Sequence, residues 1–275
     1  MTLNLIEEMP EIRPFPQVAT QIIAACESPD TSPQQLNDII QCDPSIAMRV
    51  VQVANSSAYG FAGEVRTISH AIVVLGFKSL KNLVLSAAAR DVFASSANDK
   101  RARQHVWQHS LGCASVASLL ADLTDSVSRD EAFLAAIVHD IGKLVLIEAA
   151  RDEYHDQTVD VGGDAIIGVE NELFGTDHQE LGERCADEWG LPFDIADAIA
   201  SHHGVFEPND NAELVNLIGL SDGIARSWEL GTGSNELDID QLLENTQLGF
   251  DRESIDLLQE QASSRFEELQ RAFAF

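Results

Sequence analysis

The sequence predicts an all-α protein in two halves, residues 1–98 and residues 99–275. Three observations predict it. Apolar residues recur at helical spacing from Gln17 to Phe273, and no run alternates with period two for long enough to make a strand. Helix-start signals punctuate the chain, as in Ser32-Pro33, Asp43-Pro44 and Ser128 with Glu131 three residues on. With 275 residues and 45% apolar content there is enough chain for one large or two modest domains with a full core.

The elements follow in order. Pro14-Phe15-Pro16 fixes an extended entry, because proline biases its predecessor away from helix. Gln17 to Cys26 is a short amphipathic helix. Ser32 caps a second, and Asp43 caps a third whose apolar face is Ile46, Val50, Val51 and Val53. Asn55 to Gly60 is a polar exit, and Gly60, Gly63 and Glu64 mark a loop. Thr67 opens the helix ISHAIVVLG, which Gly76 ends, and Phe77 to Phe93 is the next. Ala94 to Asp99 is small and polar and marks the boundary between the halves.

Lys100 to Leu120 opens the second half, with His105 and His109 four apart on one face. Ser128 then starts a helix whose apolar positions, Phe133, Leu134, Ile137, Val138 and Ile141, run into His139-Asp140. An imidazole and a carboxylate in so apolar a setting need partners, because an unpaired buried charge is costly. Gly142 is expected to break this helix, and Lys143 adds a cation beside the pair. Arg151 to Gly163 is a polar connector. Ala165 to Leu173 is helical. Thr176 or Asp177 caps a helix with His178 in its first turn. Leu191-Pro192 is a turn, Phe193 to His203 is helical, and Gly204 ends it. His202 and His203 lie at that C-terminus, where the helix dipole favours a cation. Adjacent residues cannot point the same way, so one of the two is expected at any shared site. Asp222, flanked by Ile218 and Ala225, is expected buried and paired. Gly231 to Leu237 is a loop, and Asp240 to Phe275 forms two acidic amphipathic helices.

Composition narrows function. Seventeen Lys and Arg stand against 45 Asp and Glu, a formal charge of −28. That argues against nucleic-acid partners, which need clustered cations, and against an anionic membrane surface. Cys26, Cys42, Cys113 and Cys185 show no CxxC spacing and read as reduced core residues. No apolar run approaches 18 residues, so no transmembrane helix is expected. MTLNLIEEMPEI lacks the basic-then-apolar order of a signal peptide, which leaves a cytoplasmic location as the expectation.

Histidine and carboxylate are the usual ligands of divalent transition metals. The order His109, His139-Asp140, His178, His202-His203, Asp222 resembles the ligand series of the HD superfamily of metal-dependent phosphohydrolases. PFPQVATQII, CDPSIAMRVVQVANSSAYG, TISHAIVVLGFKSLKNLVLS, VWQHS, EAFLAAIVHDIGKL, ELFGTDHQELGERCADEWGLP, IASHHG and LSDGIAR together resemble HDOD domains, the HD-related output domains of bacterial signalling proteins. The resemblance covers roughly residues 12 to 228 and implies an N-terminal helical bundle packed on an HD-like helical bundle. It also implies one or two divalent ions, iron, manganese, zinc or nickel. His109, His139, Asp140 and Asp222 would hold one. His178 with His202 or His203 would hold the other, and Asp140 would bridge them. Three-metal relatives carry a Glu where this chain has His105, a departure that puts a third ion in doubt.

Two functions follow as expectations. In the first, Asp140 and Lys143 serve hydrolysis of a phosphate ester or nucleotide, with Lys143 contacting a phosphate oxygen. The stretch GVFEPND after His202-His203 lacks the GYP-type element of relatives that open cyclic dinucleotides, which puts that substrate in doubt. In the second, the protein is a regulatory or scaffold module with a signalling-protein partner and a structural or vestigial metal site.

Overall fold

A computed structural model describes residues 14–59, 63–94, 99–150, 154, 158, 161, 165–203, 212–231, 239–246 and 248–274. Every regular element among them is a helix. Several expectations fall outside the described residues: the signal-peptide reading of residues 1–12, the glycine at 60, the boundary at 95–98, most of the connector at 151–163, the GVFEPND stretch, and the loop at 232–237.

The N-terminal half is α1 (Gln17–Glu27), α2 (Pro33–Gln41), α3 (Pro44–Ala54) and α4 (Ile68–Ala94). Local chemistry sets these starts. Ser32 and Gln35 form a reciprocal capping box, and Asp43 accepts from the backbone N–H groups of Ser45 and Ile46. Pro33 and Pro44 each occupy a first-turn position, where no N–H is needed. Gly76 has φ 77° and ψ 175°, so α4 is two helical stretches meeting at a left-handed corner. Counted through that corner, α4 is long and apolar enough to cross a membrane, which uninterrupted apolar runs do not suggest. Its apolar window is 56% buried inside the protein, however, and it serves as the core helix against which α1, α2 and α3 pack.

The second half contains α5 (Lys100–Ala121), α6 (Arg129–Val138), α7 (Ile141–Ala150), α8 (Ala165–Phe174), α9 (His178–Trp189), α10 (Phe193–Ser201) and α11 (Ala212–Ser227). After these come α12 (Ile239–Thr246), the five-residue α13 (Arg252–Asp256) and α14 (Gln259–Ala272). Three helices thus stand where two were expected, because Asp251 accepts from the Ser254 N–H and caps the extra one. One apolar core runs without interruption through both halves. Phe15 stacks on Trp189 of α9 at 4.7 Å, Asn82 of α4 donates to Asp130 of α6, and the Ser57 N–H donates to Glu268 of α14.

Two local readings are corrected. Ser128 does start α6, but its hydroxyl donates to the Glu131 carboxylate instead of accepting from the backbone. Glu131 is held there by Lys78 of α4 at 2.6 Å, a partner distant in sequence. Gly142 does not break the helix. The break falls at His139-Asp140, and Gly142 sits in the first turn of α7. A Cβ at position 142 would lie 2.0 Å from the His178 carbonyl oxygen and 2.6 Å from the Gly182 nitrogen. The glycine is therefore required by close approach of α9 to α7, which is what brings His178 beside Asp140.

Candidate metal centre

The side chains singled out in the sequence converge on Asp140. His109 comes from the middle of α5, His139 and Asp140 from the α6–α7 junction, and Lys143 from the first turn of α7. His178 is the first residue of α9, His202 the C-cap of α10, and Asp222 lies inside α11. None of these seven is more than 5% exposed. His203 is half-buried beside them, and its ring centroid lies 4.4 Å from that of His202. His105 is half-buried one turn from His109 and joins neither group of possible ligand atoms among the described residues.

The two oxygens of Asp140 face two different sets of ligand atoms. Oδ2 lies 3.4 Å from His139 Nε2 and 3.8 Å from His109 Nε2. Oδ1 lies 3.4 Å from His178 Nε2 and 3.7 Å from His202 Nε2. Asp222 completes the first set, with Oδ1 2.6 Å from His109 Nε2 and 3.8 Å from His139 Nε2. Two groups that could hold a metal ion result: His109, His139 and Asp140, and His178, His202 and His203.

The rings of His139, His178 and His202 are oriented from their opposite edges. His139 Nδ1 donates to the Ala136 carbonyl, and His202 Nδ1 donates to the Ile199 carbonyl, which turns both Nε2 atoms inward. His178 Nδ1 lies 2.7 Å from Oε2 of Glu170, which also accepts the His178 backbone N–H at 2.8 Å. Two cations reach the carboxylates. Lys143 Nζ donates to Asp140 Oδ2 at 2.7 Å, and Arg226 Nε donates to both oxygens of Asp222 at 3.0 and 3.2 Å.

Burial and these cations set the protonation states. Burial raises the pKa of both carboxylates, but His139 and Lys143 at Asp140, and Arg226 and His109 at Asp222, overcome it and hold both well below the usual range. Burial and Arg226 lower His109 to about 4. Burial acts in the same direction on His139, yet Asp140 and Asp222 outweigh it and raise that residue to about 9. His178 is held neutral by burial and Lys143, and His202 by burial and His203. The dipole argument for a charged histidine at the end of α10 is thus overturned for His202, since desolvation in the core exceeds what a helix terminus offers.

The residues fit a metal. His139 Nε2 and Asp140 Oδ1 are fully buried and have no hydrogen-bond partner among the described residues. His178 Nε2 and His202 Nε2 stand 3.2 Å apart, both directed at Asp140 Oδ1. Orphaned buried polar atoms are rare, and a cluster of nitrogen and carboxylate ligand atoms suits a divalent transition metal. Three participants were not singled out in the sequence. Arg226 was legible as the i+4 neighbour of Asp222. Glu170 lies eight residues before His178, and Tyr154 donates to it at 2.7 Å. Neither carries a spacing signal that would have found it.

The family profile described as HDOD domain matches residues 12–205, most of the chain. The chain belongs to the HDOD family. Similar solved structures confirm the all-helical HDOD fold. An HDOD domain protein of unknown function from Geobacter sulfurreducens superposes with TM-score 0.74 at 22% identity, covering 98% of this chain and 96% of that one. A protein from Shewanella amazonensis SB2B, provisionally named a phosphohydrolase, gives 0.74 at 21% identity, covering 98% and 97%. A protein from Marinobacter aquaeolei VT8, provisionally named a signal transduction protein, gives 0.72 at 22% identity, covering 99% and 61%. A curated relative from Treponema pallidum (strain Nichols), itself uncharacterised, is 21% identical over 226 residues. The chain spans 43% of that relative's length.

Proposed function

We propose that this HDOD protein holds a dinuclear divalent-metal centre bridged by Asp140, and that the centre hydrolyses a phosphate ester or nucleotide within a signalling role. The observation that carries the reading is the division of Asp140: one oxygen faces His109, His139 and, through them, Asp222, while the other faces His178 and His202. His203 lies close enough to His178 and His202 to complete the second set. Iron, manganese, zinc and nickel all suit these ligands. Two such ions supply positive charge against phosphoryl oxygens and acidify water. The chain's own groups do the rest. Asp140 orders both ligand sets, and His178 and His202 enter as neutral bases with lone pairs to give. Lys143, held on Asp140 Oδ2, would contact a phosphate oxygen. The reading assigns the protein to the cytoplasm and gives it neither a nucleic-acid nor a membrane partner, in keeping with its charge of −28.

Burial supports a second reading. Apart from the half-buried His203, no ligand residue is more than 5% exposed, so a substrate has little access unless the site opens, whereas a structural ion needs nothing further. In that case the protein acts as a regulatory or scaffold module on a signalling-protein partner.

A panel of phosphomonoesters, nucleotides and cyclic dinucleotides with added manganese or iron separates the two. The hydrolase reading predicts turnover that Lys143→Ala lowers roughly ten- to hundredfold, the equivalent of one charge-assisted contact of about 1.5–3 kcal/mol, without loss of metal. Metal without turnover across the panel establishes the regulatory reading instead.

A further inference from the structure

One buried acid near the centre has no part in the ligand series. Glu170 is completely buried in α8, and three donors surround its carboxylate. The Tyr154 hydroxyl donates to Oε1 at 2.7 Å. The backbone N–H of His178 donates to Oε2 at 2.8 Å, and Nδ1 of the same residue lies 2.7 Å from that oxygen. Asp177 accepts from Gln179 and Glu180 at the start of α9, so Glu170 is not needed to cap those groups. Burying a carboxylate to hold one backbone N–H would be a poor exchange, since the acid itself must be desolvated.

We propose that Glu170, braced by Tyr154, is a positioning residue that fixes His178 as the Nδ1–H tautomer and so turns its Nε2 lone pair onto Asp140 and His202. Burial raises the Glu170 pKa, and Lys143, Tyr154 and the His178 backbone N–H act against it; as a carboxylate it can only accept, so the imidazole is then the donor. The consequence appears 3.2 Å away. His202 donates through Nδ1 to the Ile199 carbonyl, so its Nε2 is also a lone pair. Two lone pairs then face each other across a gap that only a cation resolves. Without Glu170 the simpler arrangement is the other tautomer, with His178 Nε2–H donating to His202 Nε2 and the pair satisfied without any ion. Glu170 thereby biases the second ligand set toward metal, and its negative charge makes His178 a stronger ligand than one held by a backbone carbonyl.

This rests on the proposed metal centre, but the tautomer can be read without metal. Imidazole nitrogen shifts and long-range proton–nitrogen couplings of histidine-labelled, chelator-treated protein report it directly. Wild type should show His178 as Nδ1–H, and Glu170→Ala should switch it to Nε2–H. Glu170→Gln should keep Nδ1–H, because its oxygen still has to meet the backbone N–H. On titration with manganese or iron, Glu170→Ala should lose about 10- to 100-fold in affinity for the second ion while the first stays bound. Should the alanine variant fail to fold, wild type and Glu170→Gln decide. Wild-type His178 found as Nε2–H, or a tautomer and second-ion affinity unchanged in folded Glu170→Ala, overturns the proposal. A Glu170-dependent tautomer in a protein that takes up no metal supports the positioning role and instead refutes the metal centre.

Discussion

The two faces of Asp140 are built on different principles. On the Oδ2 face the charges are already matched: Asp222 with Arg226, and Asp140 with Lys143 and His139. On the Oδ1 face stand His178 and His202, neutral and 3.2 Å apart, with Asp140 Oδ1 left without a hydrogen-bond partner among the described residues. The first face can satisfy most of its buried charge by ion pairing alone. The second cannot, and it is the face whose geometry most requires an occupant. Buried charge therefore ties the first ligand set to stability, while the second is tied mainly to metal.

The largest effect expected from that difference is at Asp222. Asp222→Ala leaves the Arg226 guanidinium, whose side chain is only 11% exposed, without its carboxylate, which costs up to about 3 kcal/mol in addition to loss of the first ion. Chemical denaturation of metal-free protein measures it. A metal-free stability unchanged from wild type would break the comparison.

Acid should act through the same face. Folding lowers His109 from 6.5 to about 4, so between those values the unfolded chain binds the extra proton. The contribution of His109 is complete above pH 6.5 and is lost as pH falls toward 4, a buried shift worth about 3 kcal/mol. His139 runs the other way. Raised to about 9, it contributes fully below pH 6.5 and loses that contribution as pH rises through 9. Melting of chelator-treated protein across this range should show His109→Gln with a shallower acid limb than wild type. Superimposable acid limbs would show that His109 is not the titrating group.

The smallest effect on the metal-free protein is expected at His202. His202→Ala removes a neutral side chain and strands no charge, so the metal-free fold should lose only about 1 kcal/mol. Its signature is in loading: one ion should remain where wild type holds two. Loss of both would mean that the two sets do not bind separately.

Most of the fold was readable because its causes are local. Ser32-Pro33, Asp43-Pro44 and Gly76 each dictate a start or a corner by their own chemistry, and the structure places each where that chemistry requires. The members of the centre were readable by residue type, since a histidine or aspartate inside an apolar helix demands an explanation. What was not readable depends on contacts distant in sequence. Gly142 reads as a helix breaker until the His178 carbonyl is found against it. Ser128 reads as a capping-box residue until its hydroxyl is found donating to Glu131, which Lys78 holds from α4. Glu170 reads as one acid among many in an acidic chain, and only the packing of α8 against the start of α9 shows that it holds His178.

In the proposed centre Asp140 serves two ions at once. Elemental analysis of protein purified without chelator or a nickel column tests it most directly, with melting followed on the same samples. Wild type should carry two transition-metal ions per chain and Asp140→Ala none. Wild type should also melt higher than its own chelator-treated form, because an ion at 100-fold its dissociation constant that binds only the folded state adds about 2.7 kcal/mol. Equal, negligible metal in wild type and Asp140→Ala, with wild type melting alike before and after chelation, would contradict it.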